Sequence, residues 1–454
     1  MKQELDFAKM GVGTLFRRIF FPTLGGMIAI CAVTAIDGIF VGHGVGSDGI
    51  AAINICIPLL MLFTGLGLMV GAGCSVTSSI LLSHGRKDEA RSHVTQALVV
   101  VTVATLVPTV IIMLFPDATL RLLGVSPTLL PMARDYLVWF APGLTFQMWT
   151  AVGLFAIRLD GSPRLAMMCS VVSAVLNTIL DWVMIFPLEW GLFGAALAST
   201  ISIVVGGLIA ICYLAFSAHT LRLKWGSGFM HGALRTVAHQ CGIGSSALLA
   251  EATMAMLMFM GNLVFMRYLG DDGVGAFGIA CYYMPFVFMI GNAIAQSAQP
   301  IISFNYGLKE HRRVAATERI AVATAIACGL LVTALFSFCP QLLVGLFVDP
   351  ATPSGQLAIA GFPVYSIGFV AFVLNLAFIG YFQAVERIAP ATVFAVLRGL
   401  AFLVPSFLMM PQLLGTTGIW LALTVSEVLT TVVIIAYYLI SSRYAKNRYI
   451  CNVD

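Results

Sequence analysis

Twelve apolar stretches, each about as long as a helix that crosses a bilayer, occupy most of this chain and leave little room for any other architecture. Their approximate limits are 19–41, 52–82, 93–115, 132–157, 164–186, 191–217, 241–266, 274–302, 316–337, 356–383, 390–410 and 416–440. Of the 454 residues, 60% are hydrophobic and 10% charged, where a soluble chain carries about 25% charged residues. The expected fold is an all-α integral membrane protein with twelve transmembrane helices. The first apolar stretch is full-length and no small-residue cleavage site follows it, so it is expected to stay as a helix. The ten cysteines lie scattered through apolar segments with no CxxC and no Cys/His metal spacing. They read as small core residues in a reducing context.

Lys and Arg set the orientation. Twenty of the 24 basic residues fall on one side, from Lys2, Lys9, Arg17 and Arg18 through Arg86, Lys87, Arg91, Arg158 and Arg164 to Arg443, Lys446 and Arg448. Arg121, Arg134 and Arg267 fall on the other, and Arg398 lies within a span. Both termini are therefore expected in the cytoplasm.

The chain also repeats itself. Gly46, Asp48, Gly49, Ala52 and Ile55 recur as Gly270, Asp272, Gly273, Ala276 and Ile279. SHGRKDEARS (83–92) pairs with NYGLKEHRRV (305–314), AIRLDGSPRLA (156–166) with QAVERIAPATV (383–393), and GLFGAALASTIS (191–202) with GTTGIWLALTVS (415–426). The offsets run from about 222 to 227 residues. Six spans per half is an even number, so the halves are parallel repeats, two six-helix bundles related by a pseudo-two-fold axis along the membrane normal. The boundaries read from this are an N-terminal lobe over 1–217, a linker over 218–240, a C-terminal lobe over 241–441 and a tail over 442–454. The linker mixes Leu221, Leu223, Trp225, Phe229 and Leu234 with Arg222, Lys224 and Arg235, as a segment lying partly in the membrane interface does. An ordinary solvated loop is the alternative.

Asp37 lies inside the first span, where a charge costs roughly 2.5–3.5 kcal/mol on insertion scales. Such a group faces a bundle interior or a wet cavity, or else reaches water from the helix end. A second polar cluster favours the interior. Asn177 and Asp181 are four residues apart, hence on one helix face, at a similar depth. Ser199 and Thr200 of the sixth span and Tyr136 of the fourth add oxygens in the same half of the bundle. Two carboxylates in a low-dielectric site cannot both ionise cheaply, so the pair can hold a proton. The same oxygens with an amide and a hydroxyl form a hard cage for Na⁺ at Asp37, Asn177 and Asp181. The spacing leaves both readings open. Asp37 aligns with Gly261 in the second half, and Asp181 aligns near Pro405 to Phe407, so neither acid has a counterpart. Gly38 and Gly42 form a small-xxx-small face beside Asp37 that reads as close helix packing.

In the second half, Arg398 and Glu427 are both mid-span, and a structural ion pair explains them most simply. Glu251 is either a second coupling or substrate carboxylate or a satisfied polar group, and Gln147, Asn262, Gln296, Gln299 and Asn375 are candidates to line a cavity with it. Met and Phe facing such a cavity would give an adaptable apolar surface. No Walker loop, HExxH or GxSxG is present, and no His/Asp/Ser constellation sits at membrane depth, so enzyme chemistry has no seat.

AIDGIFVGHGVG, SHGRKDEA, RLDGSPRLA and NTILDWVMIF followed by GLFGAALAST resemble the multidrug and toxic compound extrusion (MATE) transporters, most of all the bacterial branch with an acid in the first helix. The resemblance spans nearly the whole chain. It implies two six-helix lobes and antiport of organic cations against H⁺ or Na⁺ across a bacterial inner membrane. No cofactor beyond the coupling ion, no nucleic acid and no second subunit are implied. The family's cation site maps onto Asp37, Asn177 and Asp181, with Ser199 at its hydroxyl position and Thr200 next to it. Tyr136 matches a cavity tyrosine, and Pro22 a proline where the first helix is proposed to bend. Glu251 matches only the first member of a second carboxylate pair found in some relatives, and the tenth span has no acid. The alternative cargo is a lipid-linked oligosaccharide or polyprenyl lipid carried by a flippase of the same architecture. Its phosphates would call for a cationic cavity.

Overall fold

The computed structural model describes residues 5–224 and 232–450, with residues 47, 48, 50, 51, 58, 439 and 441–450 described by their backbone alone. Lys2, with Trp225 and Phe229 of the linker, lies outside the described residues, as do the side chains of Asp48, Arg443, Lys446 and Arg448. The described chain is helical, with no strand: α1 (Val12–Gly44), α2 (Ser47–Ser83), α3 (Lys87–Leu114), α4 (Pro116–Leu122), α5 (Leu130–Phe140), α6 (Gly143–Leu159), α7 (Pro163–Ile185) and α8 (Gly191–Cys212) are followed by α9 (Ala233–Gly307), α10 (His311–Phe338), α11 (Pro340–Gly345), α12 (Pro353–Ser366), α13 (Phe369–Ala384), α14 (Ile388–Val396) and α15 (Leu403–Ile450).

Eight helical stretches are long and apolar enough to cross a membrane, and the bent pairs α5 with α6 (50°) and α12 with α13 (47°) raise that to ten. Two of the eight are double, because the backbone leaves the helix at Gly270 within α9 and at Gly415 within α15. Divided there, the chain makes the twelve crossings expected. The breaks have a common cause. Gly46, Gly270 and Gly415 have φ of 96°, 64° and 59° with ψ of −171°, −153° and −136°, a corner of backbone space open essentially to glycine alone.

These breaks also correct the repeat. Left-handed backbone recurs at Gly46 and Gly270, Gly85 and Lys309, Gly161 and Glu386, and Gly191 and Gly415, at offsets of 224, 224, 225 and 224 residues. The pairing of Gly85 with Gly307 was therefore two residues out of register, and so was the pairing around Gly161. Matching glycine to glycine misleads there. In the second half a lysine (φ 60°) and a glutamate (φ 57°) occupy the left-handed corner, at a cost of roughly 1–2 kcal/mol each.

Two compact units result. The first comprises Met1–Ala252, Gln296–Ile320 and Gln383–Ile388, and the second the remainder. The linker start therefore packs with the first unit, and a carboxylate holds it there. Asp160, 4% exposed in the turn between α6 and α7, accepts from Tyr213 Oη (2.7 Å) and from the backbone N–H of His219 (2.9 Å), Thr220 (2.7 Å) and Leu221 (2.7 Å). Leu221 is fully buried in the same cluster as Val94, Ile157 and Leu214. Arg91 Nε donates to the carbonyl of Thr220, so both polar faces of this short segment are satisfied. The N-terminal segment is held in a comparable way. Arg313 donates to the main-chain carbonyls of Phe7 (2.9 Å) and Met10 (2.7 Å) and to Asn305 Oδ1 (2.7 Å).

In the second unit, Phe265, Phe277, Phe362, Tyr365 and Trp420 interlock, with Phe265 centred 4.6 Å from Phe277 and 4.7 Å from Trp420. Arg398 and Glu427, each 1% exposed, pair at 2.7 Å. Asn375 Nδ2 donates to the second carboxylate oxygen (2.8 Å), and the Phe372 ring lies 4.0 Å from the guanidinium carbon. Both charges are thus enclosed and partnered, the structural pair expected of two mid-span ions.

Candidate functional site

The first acid is set by how α1 meets α7. Gly26 lies against Met167 and Ser170 of α7, and a side chain at Gly44 would collide with Ile185. These two glycines, about five turns of helix apart, let α1 lie along α7 at backbone distance. Gly38 is not the packing glycine that its spacing suggested: a Cβ there would meet nothing within 4 Å. The close approach is made at Gly26 and Gly44 instead.

Asp37 then faces Asp181 across the contact, within hydrogen-bonding reach. Asp181 has no exposure at all, and Asn177, one turn earlier on α7, is 5% exposed. Asn177 Nδ2 donates to Ser199 Oγ of α8 at 3.4 Å. Tyr136 of α5, 3% exposed and stacked on Phe140 at 5.6 Å, lies within electrostatic range of both acids. The two carboxylates, Asn177, Ser199 and Tyr136 are thus brought together from four helices. Thr200 is not part of the group, because its hydroxyl donates to the carbonyl of Trp139 at 2.7 Å. α1 runs through Pro22 without a break.

The electrostatics are one-sided. Asp37 Oδ1 and both oxygens of Asp181 are buried without a donor. Among the described residues no Lys, Arg or His pairs with either acid. Two bare charges 4 Å apart repel by about 4 kcal/mol at an effective dielectric constant of 20, and burial adds desolvation. The arrangement calls for one positive charge in the gap. A proton shared by the carboxylates supplies it, and so does a hard cation held by carboxylate, amide and hydroxyl oxygens. No group of three His, Cys, Asp or Glu side chains that could hold a metal occurs among the described residues.

The other predicted residues are dispersed. Gln147 Nε2 donates to Thr64 Oγ1 (2.5 Å) while its Oε1 is buried without a donor. Glu251 is half-buried beside Gly65 and Cys31. Gln296 accepts from Arg158 at 2.7 Å. Asn262 is exposed and belongs to the second unit. Sequence reasoning missed two groups. Arg158 was assigned to a loop because it directly follows an apolar run, yet it is helical and 6% exposed. Its eleven-residue spacing from Gln147, three turns on one face, was the available signal. Asp160 was hidden in a DG turn, and nothing local marks its distant partners.

The family model described as MatE matches residues 22–183 and again 247–408. The two matches begin 225 residues apart, the period of the backbone repeat. The chain belongs to this family. The multidrug export protein MepA of Staphylococcus aureus is 25% identical to it over 452 residues, covering 97% of each chain. The Staphylococcus haemolyticus protein of the same name is 26% identical over 440 residues, covering 94% of this chain and 93% of that one. Among solved structures, an outward-facing multidrug resistance MATE family transporter superposes with a TM-score of 0.90 at 20% identity, over 98% of this chain and 99% of that one. A MOP superfamily transporter from Pyrococcus furiosus, for which a binding pocket of reversed polarity is described, superposes with a TM-score of 0.87 at 19% identity, over 96% and 97%. Both likenesses support the twelve-helix fold.

Proposed function

We propose that this chain is a secondary active multidrug exporter that moves cationic or amphipathic organic compounds out of a bacterial cell against H⁺ or Na⁺. The observation that carries the reading is the pair Asp37, half-buried, and Asp181, fully buried, within hydrogen-bonding reach of each other and without a compensating charge among the described residues. Occupancy by H⁺ or Na⁺ neutralises the repulsion and lets α1 and α7 stay together. An empty pair favours their separation. A coupling ion that binds the two arrangements unequally shifts the equilibrium between them, and a drug with the opposite preference is driven the other way.

Asp37 and Asp181 hold the coupling ion in this mechanism. Asn177, with Ser199 behind it, lies beside Asp181, and Tyr136 of α5 closes another side. Gln147, Glu251 and Gln296 of the first unit are substrate-cavity candidates, and so, separately, is Asn262 of the second. The setting is the inner membrane, with both termini in the cytoplasm and the protein acting as a monomer. The relatives named as multidrug export proteins favour drug over lipid cargo. The deciding experiment is transport of ethidium by proteoliposomes with pH and Na⁺ gradients imposed separately. Flux that follows neither gradient would end the reading.

A further inference from the structure

Hydroxyls inside membrane helices commonly turn back onto a carbonyl one turn earlier in their own helix. Thr150 of α6 does so with Phe146 (3.0 Å), and Thr178 of α7 with Ala174 (3.1 Å). Ser173 of α7, one turn before Asn177, does not. Its Oγ crosses to α8 and donates to the main-chain carbonyl of Ser202 at 2.7 Å. Gly206 makes that reach possible. A Cβ there would stand 3.3 Å from Ser173 Oγ, closer than side chains ordinarily sit. Ser202, 3% exposed, turns its own hydroxyl onto the carbonyl of Ser199 at 2.8 Å. One residue thus joins the grip of Ser173 to the turn of α8 that carries Ser199.

α8 is held near this level on its α6 side as well, and again at its start. A Cβ at Gly207 would stand 2.8 Å from the Phe146 carbonyl oxygen, and one at Gly153 2.7 Å from Ala210 Cβ. At the other end a Cβ at Gly194 would stand 2.9 Å from Met184 Cβ, and the N–H of Trp190 donates to the Met184 carbonyl at 2.9 Å. Asn177 and Ser199 lie between these fixed points, and their contact has little slack. It measures 3.4 Å, and a further ~0.2 Å would take it beyond hydrogen-bonding distance. Packing glycines set how near α8 lies to its neighbours. A directed hydrogen bond also sets which carbonyl lies opposite which hydroxyl, and so the slide and roll of the helix. Those two movements decide whether Ser199 meets Asn177, which lies beside Asp181.

We propose that Ser173 is a positioning residue of the coupling site: with room given by Gly206, it grips α8 at Ser202 and holds the register at which Ser199 meets Asn177. The inference rests on the export reading. It adds a residue that sets ion affinity without touching the ion.

The test is ethidium flux in proteoliposomes at graded concentrations of H⁺ and, separately, of Na⁺. Ser173→Ala raises the concentration of the driving ion for half-maximal flux about three- to tenfold, the scale of one interhelical hydrogen bond in a membrane. Maximal flux stays within about twofold of wild type. Gly206→Ala, which crowds the Ser173 hydroxyl, shifts the ion dependence likewise. The double variant shifts no further than Ser173→Ala alone, because both changes act on one contact. Thr178→Val removes a hydroxyl from the same helix and leaves the ion dependence where it was. A Ser173→Ala variant with lowered maximal flux at unchanged ion dependence would make the contact a plain helix clamp and overturn the proposal. So would additive shifts in the double variant. If wild-type flux followed neither gradient, the export reading would fall. Melting of detergent-purified protein titrated with Na⁺ and with acid would still judge Ser173, because an ion bound at the acid pair stabilises the fold whether or not transport follows. The same midpoint in wild type and Ser173→Ala, or a wild type whose melting answers to neither ion, sinks the inference by itself.

Discussion

Asp37 and Asp181 face each other from α1 and α7 with three of their four carboxylate oxygens buried and without a donor. With neither a proton nor a cation between them the two acids repel each other, so the effects of the pair on stability and on activity should have opposite signs. Asp37→Asn places an amide donor against Asp181 and removes the repulsion. The variant should melt higher than wild type in sodium-free neutral buffer, by an amount worth about 1 kcal/mol or more, while ion-driven ethidium export disappears. Thermal melting in detergent and proteoliposome flux read the two effects. A variant that lost stability and flux together would show the acids to be structural.

The two neighbouring hydroxyls of α8 should separate. Ser199 accepts from Asn177, whereas Thr200 is committed to the Trp139 carbonyl. Thr200→Val should cost about 1 kcal/mol of stability with coupling intact. Asn177→Ala should weaken ion dependence, seen as a rightward shift in the Na⁺ or H⁺ concentration for half-maximal flux. Equal shifts from both variants would contradict the geometry.

For the enclosed pair in the second unit, the order of variants matters more than any one value. Glu427→Gln or Arg398→Met alone leaves one bare charge and should cost about 3–5 kcal/mol. Arg398→Met combined with Glu427→Leu should recover most of that loss. Unfolding monitored on purified protein gives the ranking. A double variant worse than either single one would mean that the pair does more than satisfy itself.

The linker should come loose when Asp160 is changed. Asp160→Ala removes the acceptor of three backbone N–H groups and one phenol, each worth about 1–3 kcal/mol when left buried and unmade. Limited proteolysis between residues 218 and 231 should accelerate, with Asp160→Asn intermediate. An unchanged cleavage rate would mean that the other contacts of Leu221 suffice.

The left-handed positions make a matched comparison. Gly270→Ala and Gly415→Ala enter backbone reserved for glycine and should destabilise by about 1–3 kcal/mol. Lys309→Gly and Glu386→Gly, at φ of 60° and 57°, should stabilise the protein or leave it unchanged, since the side chains already pay a steric penalty there. Melting temperatures of the four variants decide it.

The apolar runs give away the crossings in the sequence, because a helix must reach across a fixed thickness whatever surrounds it. The acids were legible for the same reason: a carboxylate at that depth needs an explanation, and Asn177 stands one turn from Asp181. What stayed hidden depends on distant neighbours. Which of Ser199 and Thr200 turns toward Asn177 is decided by where the Trp139 carbonyl lies on another helix. Arg158 read as a loop cation because hydropathy marks where an apolar run stops, whereas burial depends on what packs over its end. Gly38 passed for a contact because a small residue permits close approach without requiring it. The repeat register slipped at Lys309 and Glu386 because backbone conformation outlasts the residue type that first favoured it.

Arg313 grips the leading segment by the carbonyls of Phe7 and Met10, groups that every amino acid carries. Such a grip is blind to spelling and sensitive to length. Ala8 and Lys9, between the two anchor points, are free to drift in identity, while insertion or loss of a single residue there would pull one oxygen out of the fork. Evolution should thus tolerate many letters in this stretch and very few indels.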